Sequence, residues 1–412
     1  MVEVRDLNKL TAMVLILVLG CGLYSGTSSA QTQLTFTQTT IYDQNIFRNN
    51  LELPDWVNQT MIHLDRQFNI RSSTIRAGYT GDINFFQTYE DRLFHTHRAG
   101  IESFIPFSSK FLLNAGGEFG IRKNKSDYDY YDYHQWLLYS RFRVRQWQTT
   151  PLQFEFQTRT KDFKNLREFS YREMLGSMQI KRFFPTKTTF IGQITFSSKK
   201  YLNEQRIEEF VIIEKDTLVI PGHGRGRGPK HPITRTDTSV IAHNMNIPET
   251  RQWLLSLRIA QSIFSGTGIS LQYSRRFKPT QNTRYLQGQE YTYSKDDELY
   301  DDPYSYGSHE IQSVLTQLLP WKSQLKIFAE FYDKNYTYSI DSSTGDDESI
   351  NSPKRFDRQT IVGLYLSKKF GARRLFENVE LYFSAFYLEN RSNDPYFDFS
   401  NYSMNGGIEI TF

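Results

Sequence analysis

The sequence predicts an all-β fold, a transmembrane antiparallel β-barrel of about 16 strands with short turns at one end and long loops at the other. Three observations predict it. Apolar and polar residues alternate with a period of two through most of the 412 residues, as in strands with one apolar and one wet face. The connections between these runs alternate short and long. The last run keeps its alternation to the final residue, with Tyr402, Met404, Gly406, Ile408, Ile410 and Phe412 on one face and Ser403, Asn405, Gly407, Glu409 and Thr411 on the other. Chain ends usually fray. A strand kept intact to its last residue suits a closed ring, where it must pair with the first strand so that no edge remains.

The chain opens with Arg5 and Lys9, an apolar run from Leu10 to Leu19, and small residues ending in Ser28-Ser29-Ala30. That is the pattern of a secretory signal peptide over 1–30, cleaved after Ala30. The apolar run is too short to span a bilayer as a helix. Cys21, the single cysteine, lies in this leader. Val18-Leu19-Gly20-Cys21 loosely resembles a lipoprotein cleavage box, which leaves lipidation as the alternative to a chance leader cysteine. Cleavage after Ala30 leaves 31–412 as one barrel domain without thiols, so disulfides are excluded.

No later segment reaches the ~18 apolar residues of a membrane helix. The mean hydropathy of −0.56 is that of a soluble protein, yet 26 Tyr and 32 Phe bring the aromatic share to 15%. Polar overall and rich in aromatics is the composition of a barrel with a wet lumen. A net charge of +4 gives no argument for nucleic acid as a partner.

Taken in order, Leu34–Ile46 is the first strand. Starting at Ser73 instead would give about 14 strands, and either count is even. Farther along, Leu152, Phe154, Phe156 and Thr158 interleave with Gln153, Glu155, Gln157 and Arg159. Trp253, Leu255, Leu257 and Ile259 interleave with Gln252, Leu254, Ser256 and Arg258. Val379, Leu381, Phe383 and Ala385 interleave with Glu380, Tyr382 and Ser384. Short connections fall near Arg71–Ser73, Phe107–Lys110, Gln148–Pro151, Pro185–Lys187, Ser265–Thr267, Pro320–Ser323 and Gly371–Leu375. Long ones fall near Phe47–Trp56, Phe86–Asp91, Lys123–Tyr133, Asp162–Arg167, Leu202–Thr250, Pro279–Gly307, Asp341–Asp357 and Arg391–Ser400. Every proline lies in a connection or beside one, as a hydrogen-bonded ladder demands. Trp136 and Trp253 fall at outer strand ends, Trp147 and Trp321 at inner ends or turns, and Trp56 in an outer loop near a strand start. That distribution predicts two aromatic girdles.

On these residues the sequence resembles Gram-negative outer-membrane β-barrels. Phe412, preceded by Ile410 and Ile408, resembles the signal that the barrel-assembly machinery reads. Ile41-Tyr42-Asp43-Gln44-Asn45-Ile46-Phe47-Arg48 resembles a YDxNxFR-type first-strand motif of porin-like surface barrels. The resemblance covers only these short segments. It implies an outer-membrane location, with outer-membrane lipid, lipopolysaccharide and the assembly machinery as partners. No room for a plug domain lies between Ala30 and the first strand, which disfavours a TonB-dependent receptor.

If the apolar faces meet lipid, the other faces line the lumen, because charge facing lipid costs ~2–4 kcal/mol at the midplane. Arg141, Arg143 and Arg145 then point inward from one strand, followed by Arg159 and Lys161, Lys181 and Lys199 on the next strands. The candidate inward acids are Glu155, Glu173, Glu330 and Glu380. Two readings compete: a basic ladder that attracts anionic or phosphorylated solutes, or cross-strand ion pairs that fill the lumen. The stretch 202–250 reads as a long extracellular loop or hairpin. Its Pro221–Pro232 portion is basic and glycine-rich, and either folds into the pore, binds lipopolysaccharide phosphates, or is plain surface loop. His223, His231 and His243 fit no zinc spacing. The acidic runs at Asp296–Glu298, Asp301-Asp302 and Asp346–Glu348 lack calcium-loop spacing and read as solvated charge, with loose Ca²⁺ or Mg²⁺ bridging to lipopolysaccharide as the alternative. Asp127–Tyr133 reads as an aromatic contact surface or an extended strand. Ser308-His309 are neighbours in a strand and point to opposite faces, and His95 and His97 have no local serine, so no catalytic, metal or cofactor residues are assigned and no enzyme is expected. The function expected is porin-like passage of small hydrophilic, anion-leaning solutes. The alternative is a non-conducting barrel that docks a surface or secretion partner.

Overall fold

Alternation becomes geometry once each strand finds its neighbours. The computed structural model describes residues 31–145, 149–203, 205–218, 233–245, 249–277, 299, 301–339, 353–371 and 377–412. The leader with Cys21, Trp147, Pro221–Pro232 and the acidic runs at 296–298 and 346–348 lie outside them. The strands are β1 Gln31–Asp43, β2 Asp55–Ile70, β3 Ser73–Phe86, β4 Phe94–Pro106, β5 Phe111–Asn124, β6 Tyr133–Val144, β7 Leu152–Phe163, β8 Tyr171–Phe183 and β9 Thr188–Tyr201. After β10 Gln205–Leu218 and β11 Ile233–Met245 come β12 Glu249–Phe264, β13 Thr267–Phe277, β14 Tyr306–Leu319, β15 Ser323–Ser339, β16 Lys354–Phe370, β17 Asn378–Ser392 and β18 Phe399–Thr411. Sixteen of them close into a ring of antiparallel pairs, and β10 pairs only with β11 as a separate two-stranded sheet.

The ring closes where the terminal strand requires it. β18 pairs with β1 from Thr35 opposite Thr411 to Asp43 opposite Ser403. Leu34 and Phe412 exchange backbone hydrogen bonds of 3.3 and 2.8 Å, so the ladder runs to the last residue. The first strand therefore belongs to the barrel, and the 14-strand count fails. Its span is shifted, because Gln44–Phe47 leave the ladder in a turn. Trp56 likewise stands in β2 rather than in a loop, tilted against Tyr42 with ring centres 5.0 Å apart.

Phase sets the two faces. Ile62, Trp136, Leu138, Phe154, Phe156, Trp253, Leu271, Phe331 and Phe383 are exposed on the outside of the ring. This apolar belt around a closed ring is the outer surface of a transmembrane barrel. Opposite-phase residues point inward and are mostly polar. At one end the strands are joined by tight turns, and Trp321 and Lys322 both take φ of 58° in one of them, the left-handed geometry that matches strand twist in two-residue hairpins. The other end carries the long connections and faces outward by the same architecture.

Described parts of several long connections pack onto the barrel mouth. Ile46 and Phe47 bury against Val57, Phe86 and Phe94. Tyr131, Phe163, Phe169, Tyr171, Tyr201 and Leu299 form a second buried cluster. Val57, Phe86, Phe94, Phe163, Tyr171 and Tyr201 are all inward residues at outer strand ends, so both clusters lie inside the ring. This corrects the reading of Asp127–Tyr133 as an external surface or extended strand. Ser126–Tyr131 is a 3-10 turn that buries Tyr131 to 1% exposure, and Asp132 accepts the backbone N–H of Asn124 at 2.8 Å.

Candidate functional site

The lumen is built from inward side chains at three levels. In the middle, antiparallel register places Arg141 opposite Glu155 and Arg159 opposite Glu173. Arg141 Nε lies 3.1 Å from Glu155 Oε1, and Arg159 reaches Glu173 Oε2 with two donors at 2.7 and 3.0 Å. Cross-strand pairs of this kind fix side chains and cancel charge locally. Glu380 is similarly held across the ring, 3.3 Å from Lys369 and accepting from the Tyr365 hydroxyl at 3.2 Å. Glu330 accepts from Gln312 at 3.4 Å.

At the turn end one group of basic residues, on the β5–β8 wall, has no acid beside it. Lys110, Arg143, Arg145 and Lys181 line one recess of about 630 Å³ with Ser109, Gln153, Gln179 and Phe183, and no carboxylate is among its lining residues. Arg143 donates to Gln153 Oε1 at 3.3 Å, a neutral partner that leaves its charge uncompensated. Across the lumen, Glu380 and Glu409 line a recess of about 340 Å³ with Thr37, Thr39, Gln59, Tyr365 and Tyr382. The inner lumen thus carries a basic recess on the β5–β8 wall and, opposite it, two carboxylates on β17 and β18, of which Glu380 is paired with Lys369.

At the outer end the remaining cations are buried. The Lys161 ammonium sits 3.8 Å from the Tyr133 ring centre and is 6% exposed. Lys199 is 3% exposed, its ammonium 2.5 Å from Asp302 Oδ2 and 4.2 Å from the Tyr171 ring centre. The reading of Asp301-Asp302 as solvated charge is therefore overturned. Asp301 pairs with Lys334 at 2.5 Å and also accepts from Tyr336. The Tyr304 hydroxyl donates to Glu173 at 2.6 Å, and Leu299 joins the aromatic cluster. Burial, then the Glu173 charge, pushes the Tyr304 phenol above its ordinary range, so it remains a donor. Lys199 belongs to β9 and Lys334 to β15, which are separated in the ring by β12, β13 and β14. One short segment touching both inward faces must cross the barrel interior as a chord.

Sequence reasoning missed this chord. The signal was Asp301-Asp302 flanked by Leu299 and Tyr304, set against unpaired inward lysines at the outer ends of two strands. The motif at the end of β1 has a local account of its own. Asp43 accepts the Asn45 N–H at 2.9 Å, Asn45 Nδ2 donates to the Asn49 carbonyl at 2.6 Å, and fully buried Phe47 meets Tyr89 edge-on at 5.0 Å. The motif ties the first loop into the mouth. Ser308 points inward at 5% exposure, whereas His309 bonds the Tyr273 hydroxyl at 2.9 Å on the outer face, so the two do not meet. His95 and His97 also face outward, with ring nitrogens 3.0 Å apart. Among the described residues no group of three or more His, Cys, Asp or Glu is placed to hold a metal ion.

A closed 16-stranded ring with an apolar belt and a polar interior defines a transmembrane β-barrel of the Gram-negative outer-membrane type. Solved structures to which the chain is similar include Acinetobacter baumannii OccAB1, with a TM-score of 0.51 and 8% identity over 94% of this chain and 98% of that one. Pseudomonas aeruginosa OccK2 (OpdF) gives a TM-score of 0.48 and 8% identity over 93% and 98% of the two chains. The outer membrane protein OprD of Pseudomonas aeruginosa gives 0.47 and 8% over 93% and 94%. At this identity the likeness is one of fold. No protein-family model matches the sequence, and no curated protein matches it.

Proposed function

We propose that this barrel is a porin-like passive channel for small hydrophilic solutes, anion-leaning, and not an enzyme. In this reading the leader 1–30 directs export, and Phe412, Ile410 and Ile408 are read by the barrel-assembly machinery during insertion. The observation that carries the proposal is the inner lumen, where Lys110, Arg143, Arg145 and Lys181 surround one recess without a carboxylate. A basic patch on one low-dielectric wall of a lumen raises the local concentration of anions. Arg141 and Arg159 contribute less, because Glu155 and Glu173 compensate them. The test is single-channel recording of the refolded barrel in a planar bilayer under a salt gradient. Discrete steps with an anion-favouring reversal potential are expected.

A second reading is favoured by the outer mouth, where the inward strand residues Phe94, Tyr171 and Tyr336 are buried, and loop residues Phe47 and Tyr131 are buried with them. Such packing suits a non-conducting barrel that presents its loops to a surface or secretion partner. Absence of steps from a correctly folded, heat-modifiable barrel would select it.

A further inference from the structure

The outer faces of β8, β9 and β12 are held in hydrogen-bonded register, so their lipid-facing side chains stand in rows. From the loop end inward, the first row is Arg172, Lys200 and Glu249, and the second is Met174, Ser198 and Arg251. The third is Gly176, Phe196 and Trp253; Met178, Ile194 and Leu255 follow, then Ile180, Gly192 and Leu257. Charge gives way to aromatic and then to aliphatic side chains along one wall.

Arg172 and Lys200 stand directly opposite each other, and neither takes a hydrogen-bond or ion-pair partner among the described residues. Like charges opposed across a ladder repel. Arg251 is held by Glu249 at 2.9 Å, and Glu249, which stands opposite Lys200, is the one carboxylate within these two rows, which hold three cations. Phe196 and Trp253 form a plate two rows below, with ring centres 4.8 Å apart. Beside that plate the wall is notched, because a Cβ built on Gly176 would meet nothing within 4 Å. The path from Arg172 to Ile180 is about 26 Å of strand, or roughly 20 Å along the axis at the usual tilt. That is the depth of one leaflet with its headgroups.

We propose that this wall binds the phosphorylated glycolipid of the outer leaflet, a lipid carrying at least two phosphates on a sugar backbone with several acyl chains. Phosphates between Arg172, Lys200 and Arg251 relieve the repulsion and accept charge-assisted hydrogen bonds. The sugar lies against Phe196 and Trp253, and one acyl chain follows the Gly176 notch toward Ile180, Ile194 and Leu257. A free phosphate would satisfy the cations but would use neither the plate nor the notch. The inference rests on membrane embedding with the long loops outward and does not depend on conduction, so a barrel without channel steps leaves it standing.

The test uses the refolded full-length barrel in detergent, with bound lipid counted by native mass spectrometry. The probes are bis-phosphorylated lipid A, its dephosphorylated form and inorganic phosphate. Wild type is expected to hold lipid A well above the dephosphorylated form, with millimolar phosphate failing to displace it. Arg172→Gln with Lys200→Gln should weaken lipid A binding about tenfold or more, the loss of about one charge-assisted contact. Gly176→Leu should also weaken it, by filling the notch. Arg358→Gln with Arg391→Gln, on the β16–β17 wall where both arginines already have carboxylate partners, should bind as wild type. Equal binding of the two lipid forms by wild type, or full displacement by phosphate, would overturn the proposal without any variant. Undiminished binding by a heat-modifiable Arg172→Gln/Lys200→Gln barrel would overturn it as well.

Discussion

Replacing Lys199 by Ala strikes the chord at its tightest point. Lys199 and Asp302 are 3% and 2% exposed, and their charged atoms are 2.5 Å apart. Removing one partner of such a pair leaves the other charge buried, at a cost of about 3–5 kcal/mol. The lower end applies here. Asp302 would keep a 3.0 Å bond from the Tyr304 N–H and a 3.5 Å approach from the Tyr201 hydroxyl. A loss of about 3 kcal/mol moves a docked-to-undocked equilibrium roughly 150-fold. The amides of Tyr304 and Ser305, bonded to Asp302 Oδ1 and to the Asp302 carbonyl at 3.0 and 2.7 Å, should lose about 100-fold of their hydrogen-exchange protection. Channel conductance should rise in the same variant. Lys199→Met combined with Asp302→Leu removes both charges and should regain much of the protection. Unchanged exchange in Lys199→Ala, or additivity of the two single changes within about 0.5 kcal/mol, would refute the chord.

Three further outcomes follow from the same geometry. Arg143→Gln, Arg145→Gln and Lys181→Gln together should move the reversal potential toward cation preference. The Arg143→Gln change alone should move it partway, and an unmoved potential would detach selectivity from the inner recess. A Cβ at Gly407 would overlap the Tyr382 ring and the Gln38 carbonyl oxygen at the β1–β18 seam, so Gly407→Ala should destabilise the barrel by about 1–3 kcal/mol. Its heat-modifiable band should convert at a lower temperature, with partial recovery on adding Tyr382→Ala. Asp301 keeps 28% of its side chain exposed. Packing still disfavours its charge, but Lys334 and then Arg355 outweigh that and hold the carboxyl below its ordinary value of 3.8. Its stabilising share is therefore full above the unfolded value and is lost as pH falls through the lower folded value. Protection of 301–305 should be flat from about pH 8 to 5 and decline only below about pH 4; a midpoint near neutrality would assign the docking to other groups.

The barrel was legible in the sequence because period two is a local property that the fold preserves everywhere. Each strand must show one face to lipid, so the phase of Leu138 and Phe142 assigned Arg141 and Arg143 inward before any pairing was known. Closure was legible for the same reason, since a ring leaves no edge and the residue at its seam must stay in register. What phase could not supply was the partner of each inward charge. Arg143 and Lys199 look alike in phase, both basic and both inward, although Phe142 and Val144 flank the first and Ser198 and Lys200 the second. Their environments differ because Arg143 lies at the turn end, where connections are too short to reach inward, and Lys199 lies where a long connection can return. A carboxylate in such a connection is inexpensive in water and costly inside the barrel unless a cation waits for it. The buried position of Asp302 is thus decided by Lys199, 103 residues away in sequence. Run composition alone treats Asp301-Asp302 like any acidic loop. The outer mouth of this barrel was therefore written in pairings between loops and strands, and the inner mouth in single strands. That asymmetry places the uncompensated lumen cations of the β5–β8 wall at the turn end.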